Sequence, residues 1–282
     1  MSTVRHNTQM LAGLRKYLKI LRISLVERLT YRADFFVTTF FRFLPLVTTF
    51  LLWEAIYTGS GKDTIVGFTR NEMIAYLLLV QISRMFSSMP GLSTGIARDI
   101  RDGNLKKYLL QPIDMLWYLL SYRGAHKIAY IVTTAAPYAV LFALFYDVFP
   151  DMPDAPTWCA YIVSLLLAFL IGFYFEACIG ICGFWLLEIT SVAYIINIFN
   201  FFISGQMFPL EFLDRYPYVT PIMRSLPFQY LAYFPAMVFL GKMKGNDLLI
   251  GLAIELAWAI ALMLLSRYLF RLGLRHYSAY GG

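Results

Sequence analysis

Apolar residues in this chain are gathered into long runs, separated by short charged or Pro-rich stretches. A helix rising 1.5 Å per residue needs about 20 apolar residues to cross hydrocarbon. The runs predict six such spans, at about 35–57, 73–89, 128–146, 158–187, 192–208 and 248–265. The fourth would be about 45 Å long against a hydrocarbon core of about 30 Å, so it must tilt, break or protrude. Residues 9–30 follow a different period. Leu11, Leu14, Leu18, Leu21 and Leu25 recur at spacings of three and four, with Arg15, Lys16, Lys19 and Arg22 on the remaining surface. That stripe predicts an interfacial amphipathic helix, lying on anionic lipid or packed on a partner protein. A signal peptide would put its apolar core here and a small-residue cleavage site after it, and neither is present.

Between the fifth and sixth runs, residues 209–241 carry Pro209, Pro217, Pro221, Pro227 and Pro235 among Tyr, Phe and Leu. The segment is too apolar for an ordinary loop and too interrupted for a helix that must satisfy its own backbone in lipid. A re-entrant or interfacial hairpin, shielded by neighbouring protein, fits it.

Composition agrees with the pattern. The chain is 59% hydrophobic and 15% charged, where a soluble domain has roughly 45–50% and 25%. The fold class predicted is an all-α membrane protein with six transmembrane helices. The net charge of +7 acquires its meaning from position: 17 of the 24 Lys and Arg lie in the N-terminal segment, the stretch 84–127 and the C-terminal tail. By the positive-inside rule those three regions are cytoplasmic, so both termini are inside and the 209–241 hairpin is outside. This distribution marks topology rather than nucleic-acid binding. The single membrane domain expected spans 1–282, with a cytoplasmic segment at about 91–114. Three cysteines cannot close a disulfide framework. Cys178 and Cys182 read as small packing residues, and the widely separated His6, His126 and His276 predict no metal site.

Two motifs match in letters and fail in context. Gly59-Ser60-Gly61-Lys62 lacks the Gly at 56 and the Ser or Thr at 63 that a phosphate-binding loop requires, since Ile56 and Asp63 stand there. Gly91-Leu92-Ser93-Thr94-Gly95 has the letters of a nucleophile elbow, which needs a strand before it and a helix after. Here a membrane helix precedes it, and His126 is the nearest base in sequence. No catalytic or cofactor-binding residue is predicted.

Two constellations remain. Residues 96–103 read as a short helix of alternating charge ended by Gly103. Ile96 and Ile100, four apart, suit docking into a groove of another protein, with Arg98, Asp99, Arg101 and Asp102 making paired contacts beside them; the alternative is a solvated charged loop between spans. In the fourth span Ala168, Gly172, Glu176, Gly180 and Gly183 share one face, whose small residues allow close helix approach. Glu176 on that face, Glu255 in the last span and Arg42 in the first are ionisable groups at membrane depth. Each is expected either to line a path or to make an interhelical hydrogen bond, with Arg42 reaching towards the cytoplasmic face.

The layout resembles the membrane subunit of a type-2 ATP-binding-cassette transporter. The resemblance lies in Leu29-Thr30-Tyr31-Arg32-Ala33-Asp34-Phe35 at the entry to the first span and Ile100-Arg101-Asp102-Gly103-Asn104-Leu105 with Leu109-Leu110-Gln111-Pro112-Ile113 after the second. Gly205-Gln206-Met207-Phe208-Pro209-Leu210, Leu226-Pro227-Phe228-Gln229-Tyr230 and the ending Gly273-Leu274-Arg275-His276-Tyr277 complete it. Their order along nearly the whole chain is the specific part, and it is similar to that of uncharacterised, often paired bacterial exporter-type permeases. The resemblance implies a complex of two permease chains, the same or different, with two nucleotide-binding ATPase subunits in the bacterial cytoplasmic membrane. ATP and Mg²⁺ would be held by the partner ATPase and not by this chain. Ile96, Arg98, Asp99, Ile100, Arg101, Asp102 and Gly103 would then form the ATPase-coupling segment, and the solute moved outward would be hydrophobic, amphipathic or lipid-linked. The alternatives are an ion-gradient-driven transporter using Glu176 or Glu255 and an intramembrane hydrolase using Ser93.

Overall fold

The computed structural model describes residues 15–26, 33–144, 146–149, 153–186 and 188–277. The chain forms two compact units, one of Met1–Arg42 with Asn104–Phe142 and the other of Phe43–Gly103 with Ala143–Gly282. Among the described residues the β structure is confined to a pair of two-residue strands, β1 (Thr64–Ile65) and β2 (Phe68–Thr69).

In the smaller unit, helix α1 (15–26) packs beside the start of α6 (Met115–Leu144). The Asp114 carboxylate caps α6 by accepting from the Trp117 amide at 2.9 Å. The Asp114 amide donates to Tyr17 Oη at 3.3 Å, Lys16 donates to the Pro112 carbonyl, and the Tyr17 and Trp117 rings meet at 6.4 Å. These contacts set the rotation of α1. Ser24 is buried and Leu21 and Leu25 are half-buried, while Leu18 faces out with Arg15, Lys19 and Arg22. Leu18 therefore leaves the predicted stripe, because the polar grip at Tyr17 turns the helix. Leu11 and Leu14 lie outside the described residues. Helix α5 (Lys106–Leu109) carries Tyr108 against Tyr118 of α6, with rings 5.5 Å apart.

The larger unit is arranged around α7 (Ala155–Ile181). Asp154 caps it, accepting from the Thr157 amide at 3.3 Å, with Pro156 in its first turn. Against α7 lie α3 (Arg70–Ser87), α4 (Leu92–Arg101) and α11 (Gly245–His276). Helices α3 and α4 follow one another across a break at 88–91. Pro90 has no amide to continue the ladder, and Gly91 turns with φ +70°. Together they make one of three helical stretches long and apolar enough to cross a membrane among the described residues, Arg70–Arg101, Ala155–Phe184 and Gly245–His276. Helix α2 (Ala33–Ser60) has 28 residues and α6 has 30, each over 40 Å at about 1.5 Å per residue.

Helix α8 (Thr190–Ile203) is shorter than the run 192–208 suggests, because Gly205 turns the chain with φ +78°. A Cβ on Gly205 would stand 2.7 Å from Tyr76 Oη and 2.8 Å from Tyr233 Cβ, so only glycine fits this turn. From there the chain makes the short helices α9 (Val219–Ser225) and α10 (Tyr233–Phe239) with two 3₁₀ turns. The predicted 209–241 hairpin has an exposed tip at 214–219 and a return limb, 229–239, buried throughout among α3 and α7. Its backbone is satisfied by protein: Ser87 Oγ donates to the Leu231 carbonyl at 2.7 Å and the Tyr233 amide to Ser204 O at 3.1 Å, while Tyr76 Oη donates to Gly205 O, in the turn before it, at 2.5 Å.

Strands β1 and β2 close on a two-residue turn in which Val66 has φ 51° and Gly67 φ 78°. That is the geometry of a type I′ turn, which favours Asn-Gly and penalises a β-branched residue by roughly 1–2 kcal/mol. Val66→Asn is expected to stabilise the hairpin by about 1 kcal/mol, read as slower amide exchange at 64–69. Unchanged exchange would contradict the assigned turn.

Lys242, in the turn before α11, pins this hairpin. Its ammonium lies 3.1 Å from Glu72, donates to Gly67 O at 3.0 Å, and sits 3.7 Å above the Phe68 ring. Partial burial by itself would raise the Glu72 carboxyl. The Thr69 amide in the capping box, then Lys242, outweigh burial and hold it below the ordinary glutamate value. With the folded value depressed, the stability contributed is present above the ordinary glutamate pKa of about 4.3 and is lost as pH falls through the folded value. Glu72→Gln should therefore melt at a lower temperature than the natural chain at neutral pH and at the same temperature near about pH 3. A gap that does not depend on pH would contradict the assignment.

Candidate functional site

The small-residue face of α7 is where α3 and α4 seat. A Cβ built on Gly172 would stand 1.9 Å from the Ser87 carbonyl oxygen, and one on Gly180 would stand 2.8 Å from the Ser93 carbonyl oxygen and 2.8 Å from Ile96 Cβ. A Cβ on Gly183, in the 3₁₀ turn Cys182–Phe184, would stand 3.0 Å from Ala97. Ala168 is fully buried on the same face. The close approach expected from the spacing of these residues is thus present, and its partner is the α3–α4 pair.

Helix α4 ends as the sequence predicts. The Asp102 amide bonds the Arg98 carbonyl at 2.9 Å and the Gly103 amide bonds Ile100 O at 3.3 Å, with Gly103 at φ +71°. Its apolar face corrects the expectation of a groove on another protein. Ile96 is 2% exposed and Ile100 6%. Both are consumed inside the chain, Ile96 against Gly180 and Ile100 against Gly183. Ala97 continues this seat against the cluster of Ile179, Ile189 and Ala193, which brings in the start of α8. The outward face of α4 carries Arg98 and Arg101, followed by Asp102, while Asp99 is half-buried. Arg101 Nε and Asp102 Oδ1 pair at 3.3 Å.

Two further segments complete this end of the unit. Glu188, between α7 and α8, accepts from the Thr190 amide at 2.6 Å. The Thr190 hydroxyl and amide, with a smaller contribution from Arg101, hold its carboxyl below the usual range, so Glu188 belongs to the same charged surface as α4. The end of α11 closes over it: a Cβ on Gly273 would fall 2.1 Å from the Phe184 ring, which also meets Phe270 and Tyr277 at 6.0 and 5.9 Å. Buried Gly103 would bring a Cβ 3.9 Å from Tyr277 Oη. Helix α4 is thereby seated on α7 and α8, with the end of α11 packed on the adjoining 3₁₀ turn. Nothing in the local sequence pattern around Glu188 marks it as a neighbour of Arg101.

The two buried acids find separate surroundings. Glu255 is 0% exposed and takes a hydrogen bond from Ser164 Oγ of α7 at 3.2 Å on one oxygen, the other having no partner. The observed role is the interhelical bond, joining α11 to α7. Glu176 is 8% exposed, and the charge within its reach is Arg84 of α3, a residue counted in the sequence only as a marker of the cytoplasmic side. A second ionisable group of opposite sign in a neighbouring apolar run is the signal that could have found it. Arg42 lies in α2, with its side chain outside the described residues. Cys178 and Cys182 are free thiols packed in the helix, Cys178 Sγ lying 3.9 Å from Leu262 O. Ser93 is buried in the first turn of α4, and a helix precedes it instead of a strand, so the nucleophile-elbow context is missing.

This assembly, a charged helix bolted onto apolar helices long enough to span a membrane, is matched over residues 43–281 by the family described as ABC-2 family transporter protein. The chain belongs to the ABC-2 transporter family. No protein of curated function matches it. As an ABC-2 permease it is a multi-pass membrane protein and the transmembrane subunit of an ABC transporter, a part that works with ABC ATPase subunits and is not itself the ATPase. The family match covers all of α4 and α7, together with Glu176 and Glu255.

Proposed function

We propose that this ABC-2 permease exports a hydrophobic, amphipathic or lipid-linked solute across the bacterial cytoplasmic membrane, driven by ATP that a separate subunit hydrolyses with Mg²⁺. The observation that carries the coupling is the seating of α4. Ile96 and Ile100 are sunk into the glycine face of α7, while Arg98, Arg101 and Asp102 point outward. A partner that grips the charged face displaces α4, and α4 cannot move without α7, because Gly180 leaves no slack between their backbones. Coupling thus runs from Arg98, Asp99, Arg101, Asp102 and the Gly103 turn into the spans. The exposed apolar surface of α8, with Tyr194, Ile195, Ile198 and Phe199 outward, suits lipid or a second permease chain.

In this reading α2, α3, α6, α7, α8 and α11 are the six spans, both ends are cytoplasmic, and the 209–241 hairpin enters the membrane from outside. α1 lies at the inner interface with Arg15, Lys19 and Arg22 towards lipid headgroups. Single cysteines at Asp102 and His276 should react with a membrane-impermeant maleimide only in inverted vesicles, and cysteines at Lys62 and Tyr218 only in right-side-out ones. The opposite pattern at either pair would sink the topology. For energy source, solute movement in proteoliposomes should need ATP and the ATPase subunit, and a proton gradient without ATP should move nothing.

A further inference from the structure

A cavity of about 310 Å³ opens between the end of α2 and the segment following α8. Its walls are Trp53 and Ile56 on one side and Phe208, Phe212 and Leu213 on the other. The one polar group of its aromatic wall is already used, since Trp53 Nε1 donates to the Met207 carbonyl at 3.3 Å. Trp53 also holds Phe212 edge-on at 5.5 Å, which fixes the shape of the walls. Nothing in such a lining can hold a polar ligand group, and a flexible hydrocarbon chain fills it without penalty.

Charged residues next to the walls in the chain, with their partners, show what the rest of the ligand must be. Arg70 is neutralised by Glu54 at 2.6 Å, and Arg224 by both oxygens of Asp214 at 2.9 and 3.0 Å. Arg215 sits inside the turn that the Tyr216 amide closes on Leu213 O at 2.8 Å, two residues from the pocket wall. It is exposed, and among the described residues it pairs with no carboxylate. Exposed Tyr216 and Tyr218 flank it, the residue type that settles at headgroup depth. An apolar slot with one unpaired positive charge two residues along the chain from its wall is complementary to an anionic amphiphile.

We infer that this pocket holds one acyl chain of an anionic phospholipid from the outer leaflet, with its phosphate on Arg215. The inference rests on the membrane placement proposed above and is independent of which solute is exported.

The test uses the full chain with Trp117, Trp158, Trp185 and Trp258 changed to Phe, so that Trp53 alone reports, in vesicles of phosphatidylcholine doped with phosphatidylglycerol. Either lipid carries dibrominated acyl chains, which quench tryptophan on contact. Quenching of Trp53 should favour brominated phosphatidylglycerol over brominated phosphatidylcholine about five-fold, the yield of one headgroup–arginine contact. Arg215→Gln should remove the preference and Arg215→Lys should keep it. Leu213→Phe, which fills the slot, should cut Trp53 quenching for both lipids. Equal quenching by both lipids, unmoved by Arg215→Gln, would mean bulk lipid only and overturn the site. A sister chain keeping only Trp258 separates the two levels. If Trp258 is quenched and Trp53 is not, the pocket proposal falls alone; if neither is quenched, the membrane placement falls with it.

Discussion

Gly172→Ala is expected to unseat the larger unit. The added methyl would stand 1.9 Å from the Ser87 carbonyl oxygen, 2.9 Å from its carbon and 3.2 Å from its Cα. These are backbone atoms, so no rotamer change can relieve the contact. The end of α3 must move instead, and with it the 2.7 Å bond from Ser87 Oγ to the Leu231 carbonyl that holds the buried limb of the hairpin. Overpacking a tight site costs about 1–3 kcal/mol, and a clash with main chain belongs at the upper end or beyond. The expected result is a loss of roughly 3 kcal/mol, seen as a large drop in melting temperature of the purified chain in detergent. Gly124→Ala is the matched control. Gly124 is also helical, nothing lies within 4 Å of its added Cβ, and the helix gains about 0.8–1.0 kcal/mol from alanine. Equal melting of the two variants would contradict the packing of α3 on α7.

The second large effect separates folding from coupling along one helix. Asp102→Arg reverses an exposed charge and should leave the fold within about 0.5 kcal/mol. Reversing a charge at a complementary docking surface should weaken ATPase association at least about ten-fold, the equivalent of about 1.4 kcal/mol. Asp99→Arg should act in the same direction. Ile96→Ala should do the reverse: it empties a buried site at a cost of about 2–5 kcal/mol, so the isolated chain melts earlier while its charged face is unchanged. If Ile96→Ala left melting unaltered and abolished ATPase binding, Ile96 would be docking outward after all. The burial of Ile96 against Gly180 excludes that in this structure.

What could be read from the sequence follows from how far each signal reaches. The apolar runs located the long helices, because length and composition are local properties. The end of α4 was legible because Gly103 supplies its own left-handed turn. The small residues of α7 announced a close neighbour without naming it, since spacing defines a face and not what the face meets. The same limit explains Ile96 and Ile100, whose four-residue spacing suits a partner's groove as well as the chain's own glycines. The attraction between the charges of Arg84 and Glu176 spans 92 positions, the hydrogen bond of Ser164 to Glu255 another 91, and neither leaves a trace in local pattern. The proline-rich hairpin was recognisable as neither loop nor span, but its buried limb depends on a hydrogen bond from Ser87, and the Gly205 turn before it on one from Tyr76, residues of a helix more than a hundred positions away.

The central claim is that this permease is driven through the outward face of α4 by a separate ATPase. It is tested most directly by purifying the tagged full chain in detergent and measuring vanadate-sensitive ATP hydrolysis together with the identity of the co-purifying protein. The natural chain should bring down a subunit bearing a phosphate-binding loop and the matching activity. The Asp102→Arg chain, folded to the same melting temperature, should lose most of both. Equal amounts of ATPase on the two chains, or no ATPase on the natural one, would contradict the account.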